Sequence, residues 1–258
     1  MLSELIAWSR GRPPIHLFLL WSAARSEEDR ILTDIAARFR VLDLMEVTWT
    51  LGETFARSLS RMYGDDLPPN SAKELHCGSG PFLVAVVEDA QPRYRLRRTN
   101  RGLRFLNSSV FDARRRYRMW TDGGYKVHAS DSVAETERNL ALLLGERPEQ
   151  FRDRRATVEH PGRRIDADPV GTDGWASLEQ LKVALETHGA RLARQTDGSR
   201  SVRVTASDLW WIELIVGGRE VVPGVREVSV AGQPMRLILQ ESLPARTRAV
   251  FNRLGHRA

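Results

Sequence analysis

The sequence predicts an α/β fold in two parts, and three observations carry that expectation. Short apolar runs of strand length, Ile15–Trp21, Val41–Trp49 and Pro81–Val87, alternate with stretches whose apolar residues recur at helical spacing. A stretch rich in charge, Gly and Pro, Arg152–Thr172, has no apolar period and reads as a linker. Beyond it one helix leads into several short strand-like runs, the pattern of a small α+β domain. The expected division is 1–150, a linker over 151–173, and a second domain over 174–258.

Composition narrows the function classes. The 258 residues are 41% hydrophobic and 28% charged, values typical of a soluble globular chain. The single cysteine, Cys77, excludes an internal disulfide framework and suits a reducing cytoplasm. Ile15–Trp21 is too short to cross a bilayer and no signal-peptide core precedes it, so no membrane span is expected. A net charge of +6 implies an anionic partner or substrate, although an Arg-rich surface can also be simply well solvated.

In chain order, Ile15–Trp21 is nearly all apolar, as a strand buried on both faces should be. Ser26-Glu-Glu-Asp-Arg30 reads as a helix start with a Ser cap and acids in its first turn; Ile31, Ile35 and Phe39 mark its buried face. Val41–Trp49 is the next strand, and Leu51–Tyr63 a second amphipathic helix. Asn70–His76 reads as a short helix capped by Asn70. His76-Cys77 has no metal-ligand spacing to other His or Cys residues. Pro81–Val87 is a third strand. Arg93–Leu106 alternates around Asn100-Arg-Gly102, a hairpin signature, and would carry Arg97, Arg98 and Arg101 on a basic ribbon. That ribbon is either an anion-docking surface or a charge-protected sheet edge. Phe111–Trp120 follows as an Arg-rich helix.

Tyr125–His128 is a short strand that ends in an imidazole. Ser130, Asp131 and Ser132 are cap residues, and Val133–Leu144 is a helix closed by Gly145. A neutral His beside a helix N-terminus could attack a phosphorus, with Ser hydroxyls holding the ring or the phosphoryl oxygens. The same spacing fits a strand-end His hydrogen-bonded to the cap.

His128-Ala-Ser-Asp-Ser132 resembles the His-Gly-Ser-Asp-Ser signature of nucleoside diphosphate kinases. Other pieces lie in that family's order: the strand Ile15–Trp21, a helix ending Ala-Arg-Phe39, a second strand, and Gly78-Ser-Gly-Pro-Phe82 opening a third. The resemblance covers roughly residues 15–150. It implies a ferredoxin-like βαββαβ antiparallel sheet and a phosphotransferase whose His128 carries a phosphoryl group between nucleotides, with Ser130 and Ser132 beside it. It also implies Mg²⁺ accompanying a nucleotide and assembly into a homo-oligomer. At the family's spacing its phosphate-binding Arg falls on Arg115, with Arg118 also eligible. The family's Lys after the first strand has no counterpart in Trp21-Ser-Ala-Ala-Arg25. Its ribose-contacting Asn is replaced by Tyr125, with Lys126 as a substitute cation. The basic hairpin stands where the family has a base-clamping helix.

After the linker, Ser177 caps a helix through Leu178, Leu181 and Leu185. Strand-like runs follow at Leu192–Gln195, Val202–Thr205, Leu209–Val216, Arg219–Val222, Val225–Val230 and Pro234–Leu239, then a last helix at Leu243–Leu254. This half loosely resembles a pared-down nucleotidyltransferase domain. It lacks an Asp-x-Asp pair in Ser201–Ala206, which implies binding or assembly rather than metal-dependent chemistry. Two function classes remain: a phosphotransferase acting through His128, and a non-catalytic nucleotide- or polyanion-binding module. Nucleic acid fits the basic ribbon less well, because regularly placed stacking aromatics are lacking.

Overall fold

Strand β1, Ile15–Leu20, is buried along its whole length because it is flanked on both sides within a sheet and covered on both faces. The computed structural model describes residues 12–99, 102–155, 162–193 and 201–242. The chain divides into two units, residues 1–169 and 170–258. The described residues are mixed α/β, with three sheets.

In the first unit a 3₁₀ turn, Ser22–Glu27, precedes helix α1, Glu28–Arg38. Ser26 therefore lies inside the turn and does not cap α1. Ser22 is engaged instead: its Oγ donates to the Cys77 carbonyl and accepts from the Gly80 N–H. Gly78, with φ +72°, is required there, since a Cβ would meet Ser22 Oγ at 2.4 Å. Strand β2 is Arg40–Thr48 and helix α2 is Glu53–Tyr63, closed by Gly64 in the left-handed region. Helix α3, Ala72–Cys77, is capped by Ser71 rather than Asn70, whose positive φ of 61° belongs to the preceding turn. Strand β3 is Phe82–Glu88. Strands β4, Tyr94–Thr99, and β5, Gly102–Asn107, form the expected hairpin as a separate two-stranded sheet. Residues 100 and 101 of its turn lie outside the described residues.

Helix α4 spans Ser108–Trp120, starting earlier than its apolar period implied. The cause is Asn107, whose Oδ1 accepts from the Ser109 and Val110 N–H groups. Strand β6, Val127–Ala129, leads into helix α5, Val133–Leu144, with Ser132 as N-cap and Gly145 at the C-terminal end. Helix α6 is Pro148–Arg155 and strand β7 is Arg163–Asp166.

The main sheet has the order β6-β1-β3-β2-β7. β1 runs antiparallel to β3 and β6, β2 antiparallel to β3, and β7 parallel to β2. Part of the stretch read as linker is thus a fifth strand and a helix. On one face Phe18, Leu20, Val87 and Val127 pack with Ile31 and Ile35 of α1 and with Val110 and Tyr117 of α4. Trp21 gathers an aromatic cluster with Trp49, Phe55, Tyr63 and Phe82 at ring separations of 4.5–6.4 Å.

The second unit carries helix α7, Leu178–Thr187, and the sheet β10-β11-β12-β9-β8. Its strands are β8 (Arg191–Leu192), β9 (Ser201–Ala206), β10 (Arg219–Val222), β11 (Val225–Val230) and β12 (Gln233–Glu241). Leu209–Val216, expected as a strand, is helix α8. Asp208 starts it by accepting from the Trp211 N–H. The expected helix at Leu243–Leu254 lies outside the described residues. Among the described residues no helix is long and apolar enough to cross a membrane.

Candidate functional site

His128 is placed by two elements. Ladder pairing sets β6 against β1, with His128 opposite Leu19. Helix α5 then turns back over it, so that Glu135 and Asn139, one turn apart, both reach the ring. Asn139 Nδ2 donates to His128 Nε2 at 2.9 Å, and Glu135 Oε1 stands 3.8 Å from the same nitrogen. The Tyr63 ring meets the imidazole edge-on at 5.3 Å. His128 Nδ1 makes no hydrogen bond to a described residue.

The imidazole is neutral. Burial removes the water an imidazolium needs, and Arg114, Arg118, Lys73 and Arg138 add repulsion, so its pKa lies well below 6.5. Cys77 offers no competing nucleophile: burial pushes its thiol up to about 12.

His128 lines a cleft of about 680 Å³. Helix α4 sends Phe111, Arg114, Arg115 and Arg118 into it, a set at i, i+3, i+4 and i+7 that marks one helical face. The hairpin contributes Arg98, Thr99, Arg104 and Leu106, and α3 contributes Lys73. Tyr63, Tyr125, Asp65, Asp131 and Glu135 complete the wall. Arg114 Nη2 lies 2.8 Å from Asp131 Oδ2, and Lys73 Nζ donates to Asp65 Oδ2 at 2.9 Å. Burial raises the Asp131 carboxyl to about 6 against the pull of Arg114. Arg118 donates to the Val127 carbonyl. The side chains of Arg98, Arg104 and Arg115 make no hydrogen bond or ion pair with a described residue, although the Arg104 charge also acts on Asp131, so these guanidinium groups can turn to a ligand.

The expected site residues separate into two groups. His128, Arg115, Arg118, Tyr125 and Arg98 share the cleft. Ser130 does not reach it: fully buried, its Oγ accepts from the Leu17 N–H at 2.8 Å and from Thr136 Oγ1 at 2.9 Å. Ser132 Oγ accepts from the Glu135 N–H as helix cap. Ser130 ties α5 to β1 and Ser132 caps α5, so both hydroxyls are engaged within the fold. At the helix N-terminus the Glu135 N–H is taken by Ser132 Oγ, and just before it Glu135 Oε2 accepts from the Asp131 N–H. The positive charge on the cleft wall is carried by arginines and Lys73 instead. Arg97 pairs with Asp112 at 2.9 Å outside the cleft, and Lys126 does not line it.

Sequence reasoning missed Lys73, Arg114, Glu135 and Asn139 as site residues. The helical spacing of Arg114 with Phe111 and Arg118, and of Glu135 with Asn139, was the available signal. Lys73 had none, because a tertiary contact alone brings α3 to the cleft. Among the described residues no group of three or more His, Cys, Asp or Glu could hold a metal ion. Mg²⁺ travelling with a nucleotide would therefore be held by its phosphates, and this wall supplies no cage for it.

No family model matches the chain, and no curated protein matches it.

Proposed function

We propose that this protein is a phosphotransferase that binds a phosphorylated ligand, a nucleotide in the first instance, and carries its terminal phosphoryl group on His128. The observation that carries the reading is the neutral imidazole on a cleft wall with Arg98, Arg104 and Arg115 unpaired around it. The order β6-β1-β3-β2, antiparallel throughout, supports a ferredoxin-like sheet of the kind nucleoside diphosphate kinases use.

In the first half-reaction the Nδ1 lone pair attacks the terminal phosphorus. The bond from phosphorus to the bridging oxygen breaks, and its electron pair leaves with the diphosphate. The ring proton stays on Nε2, accepted by Asn139 through its Oδ1 when the amide is turned over. Arginine forks neutralise the equatorial oxygens, each such donor being worth about 3–4 kcal/mol of barrier. In the second half-reaction an acceptor oxygen attacks the phosphohistidine and Nδ1 regains its lone pair. A cytoplasmic setting accords with the single cysteine, and assembly into a homo-oligomer belongs to the same proposal.

One observation favours a binding module without transfer. With Nδ2 donating to Nε2, the ring proton sits on Nδ1 and the nucleophilic lone pair is lost. Incubation with a panel of nucleoside triphosphates, followed by mass spectrometry, decides between them. An acid-labile phosphate on His128, absent in His128→Ala, is expected. A folded wild-type protein that binds nucleotide and never labels would leave the binding module.

A further inference from the structure

We infer that the cleft recognises a chain of condensed phosphates as such, so that inorganic tripolyphosphate is a ligand, and a phosphoryl donor, without any nucleoside. The donor part rests on His128 acting as phosphoryl acceptor; the binding part stands on the walls of the cleft alone.

Charge is the first ground. Six cationic side chains line the cleft (Lys73, Arg98, Arg104, Arg114, Arg115 and Arg118) against three acidic ones. Asp65 and Asp131 are already spent on Lys73 and Arg114. Arg98 and Arg104 come from the hairpin and Arg115 from α4, so unpaired guanidinium groups approach from two separate elements. A ligand that satisfies them needs several negative charges spread along its length, with oxygens suited to Arg forks.

The aromatic side chains are the second ground. Among the described residues Tyr63, Phe111 and Tyr125 line the cleft beside His128, and each of these three rings is packed by a cation. Lys73 Nζ lies 4.2 Å from the centre of the Tyr63 ring and 5.3 Å from that of Tyr125. Arg118 lies 5.9 Å from the Tyr125 ring and Arg114 5.0 Å from the Phe111 ring. A stacking nucleobase would compete with these partly desolvated cation–π contacts. Leu106 is the only aliphatic side chain among the described residues of the wall. A phosphate chain needs no ring face and can be met by Arg98, Arg104 and Arg115, none of which packs on a ring of the wall.

The donor step balances without a nucleoside. Nδ1 of His128 attacks a terminal phosphorus of tripolyphosphate. The bond to the bridging oxygen breaks, the electron pair leaves with pyrophosphate, and the proton remains on Nε2.

Calorimetric titration of the full chain with inorganic tripolyphosphate, ATP and adenosine tests the inference. Tripolyphosphate is expected to bind within about threefold of ATP, with no binding of adenosine. The double variant Arg98→Gln, Arg104→Gln should weaken tripolyphosphate about tenfold or more, since each loss removes charge-assisted bonds. Its thermal midpoint should stay close to wild type, because neither side chain makes a hydrogen bond or ion pair with a described residue and Arg104 acts on Asp131 only at longer range. ATP binding more than about tenfold tighter than tripolyphosphate, binding of adenosine alone, an unaffected double variant, or no binding at all would each overturn it. Labelling is scored separately. Tripolyphosphate that binds and leaves His128 unmodified removes the transfer reading and keeps the recognition. Nucleotide labelling without tripolyphosphate binding keeps the transfer and sinks the recognition.

Discussion

Asn139 and His128 are joined by one hydrogen bond of 2.9 Å, and the orientation of the amide sets which ring nitrogen keeps its lone pair. With Nδ2 toward the ring, Nδ1 is protonated; with Oδ1 toward the ring, Nδ1 is free. Asn139→Asp, which can only accept from Nε2–H while ionised, should raise the rate of His128 labelling by about tenfold. Asn139→Leu should lower it by about 100-fold with ligand affinity little changed. Single-turnover labelling beside calorimetry separates the two effects; equal rates in all three proteins would remove Asn139 from the mechanism.

Acid should destabilise the protein. His128 and His16 are both buried, and burial lowers the pKa of each below 6.5. Below pH 6.5 the unfolded chain binds protons that the folded chain refuses, so their contribution is complete above that pH and is lost as pH falls. The loss reaches about 1.4 kcal/mol per pH unit for each histidine. Asp131, raised to about 6 from 3.8, acts in the opposite sense between those values, because the folded state takes up its proton first. Two groups outweigh one, so urea midpoints should fall between pH 6.5 and 5. A midpoint that rises over that range contradicts the assignment.

Ser130→Ala should be a stability variant. It leaves the Leu17 N–H buried without its acceptor, at a cost of about 1–3 kcal/mol, whereas the single Thr136 hydroxyl proton still has the Ile15 or the Ser132 carbonyl, each at 3.0 Å, as an acceptor. Urea unfolding should show the loss while labelling of the folded protein persists. Labelling abolished at unchanged stability would return Ser130 to the site.

Trp21→Ala should link the core to the site. Removing the indole empties the centre of the aromatic cluster at a cost of about 3–5 kcal/mol. It also removes the Nε1–H bond to the Tyr63 hydroxyl, the residue whose ring meets His128 edge-on. Both the thermal midpoint and the labelling rate should fall; a rate untouched in protein that is still folded would show that Tyr63 needs no such anchor.

Some of this architecture was plain in the sequence. The buried strand at Ile15 and the helix from Val133 to Gly145 carry their own period and caps, so local signals sufficed. Leu209–Val216 misled because Trp, Ile and Val favour strands, and with Glu213 as its one charged residue and Trp210 exposed the helix shows no polar face. The cap at Asp208 was the better guide. Ser130 misled differently. A hydroxyl two residues from His128 is equally suited to hold a ligand or a neighbouring backbone, and only the register of β1 shows that Leu17 takes it. The cation cleft was half legible, since the spacing along α4 is periodic while the approach of Lys73 and the hairpin is a matter of tertiary packing.

Strand β7 has a practical consequence for anyone dissecting the chain. Its parallel ladder with Met45–Thr48 shields what would otherwise be an open flank of the sheet, and its Arg163 stands 3.5 Å from the buried carboxylate of Asp43. A fragment trimmed at residue 150, where the periodic sequence invites a cut, would strand that carboxylate and bare the β2 backbone as a template for intermolecular pairing. Such a fragment would self-associate through its bared edge whatever the state of the intact chain. A fragment carried through Pro169 keeps the flank shielded, and size-exclusion profiles of the two would tell a trimming artefact from a genuine oligomer.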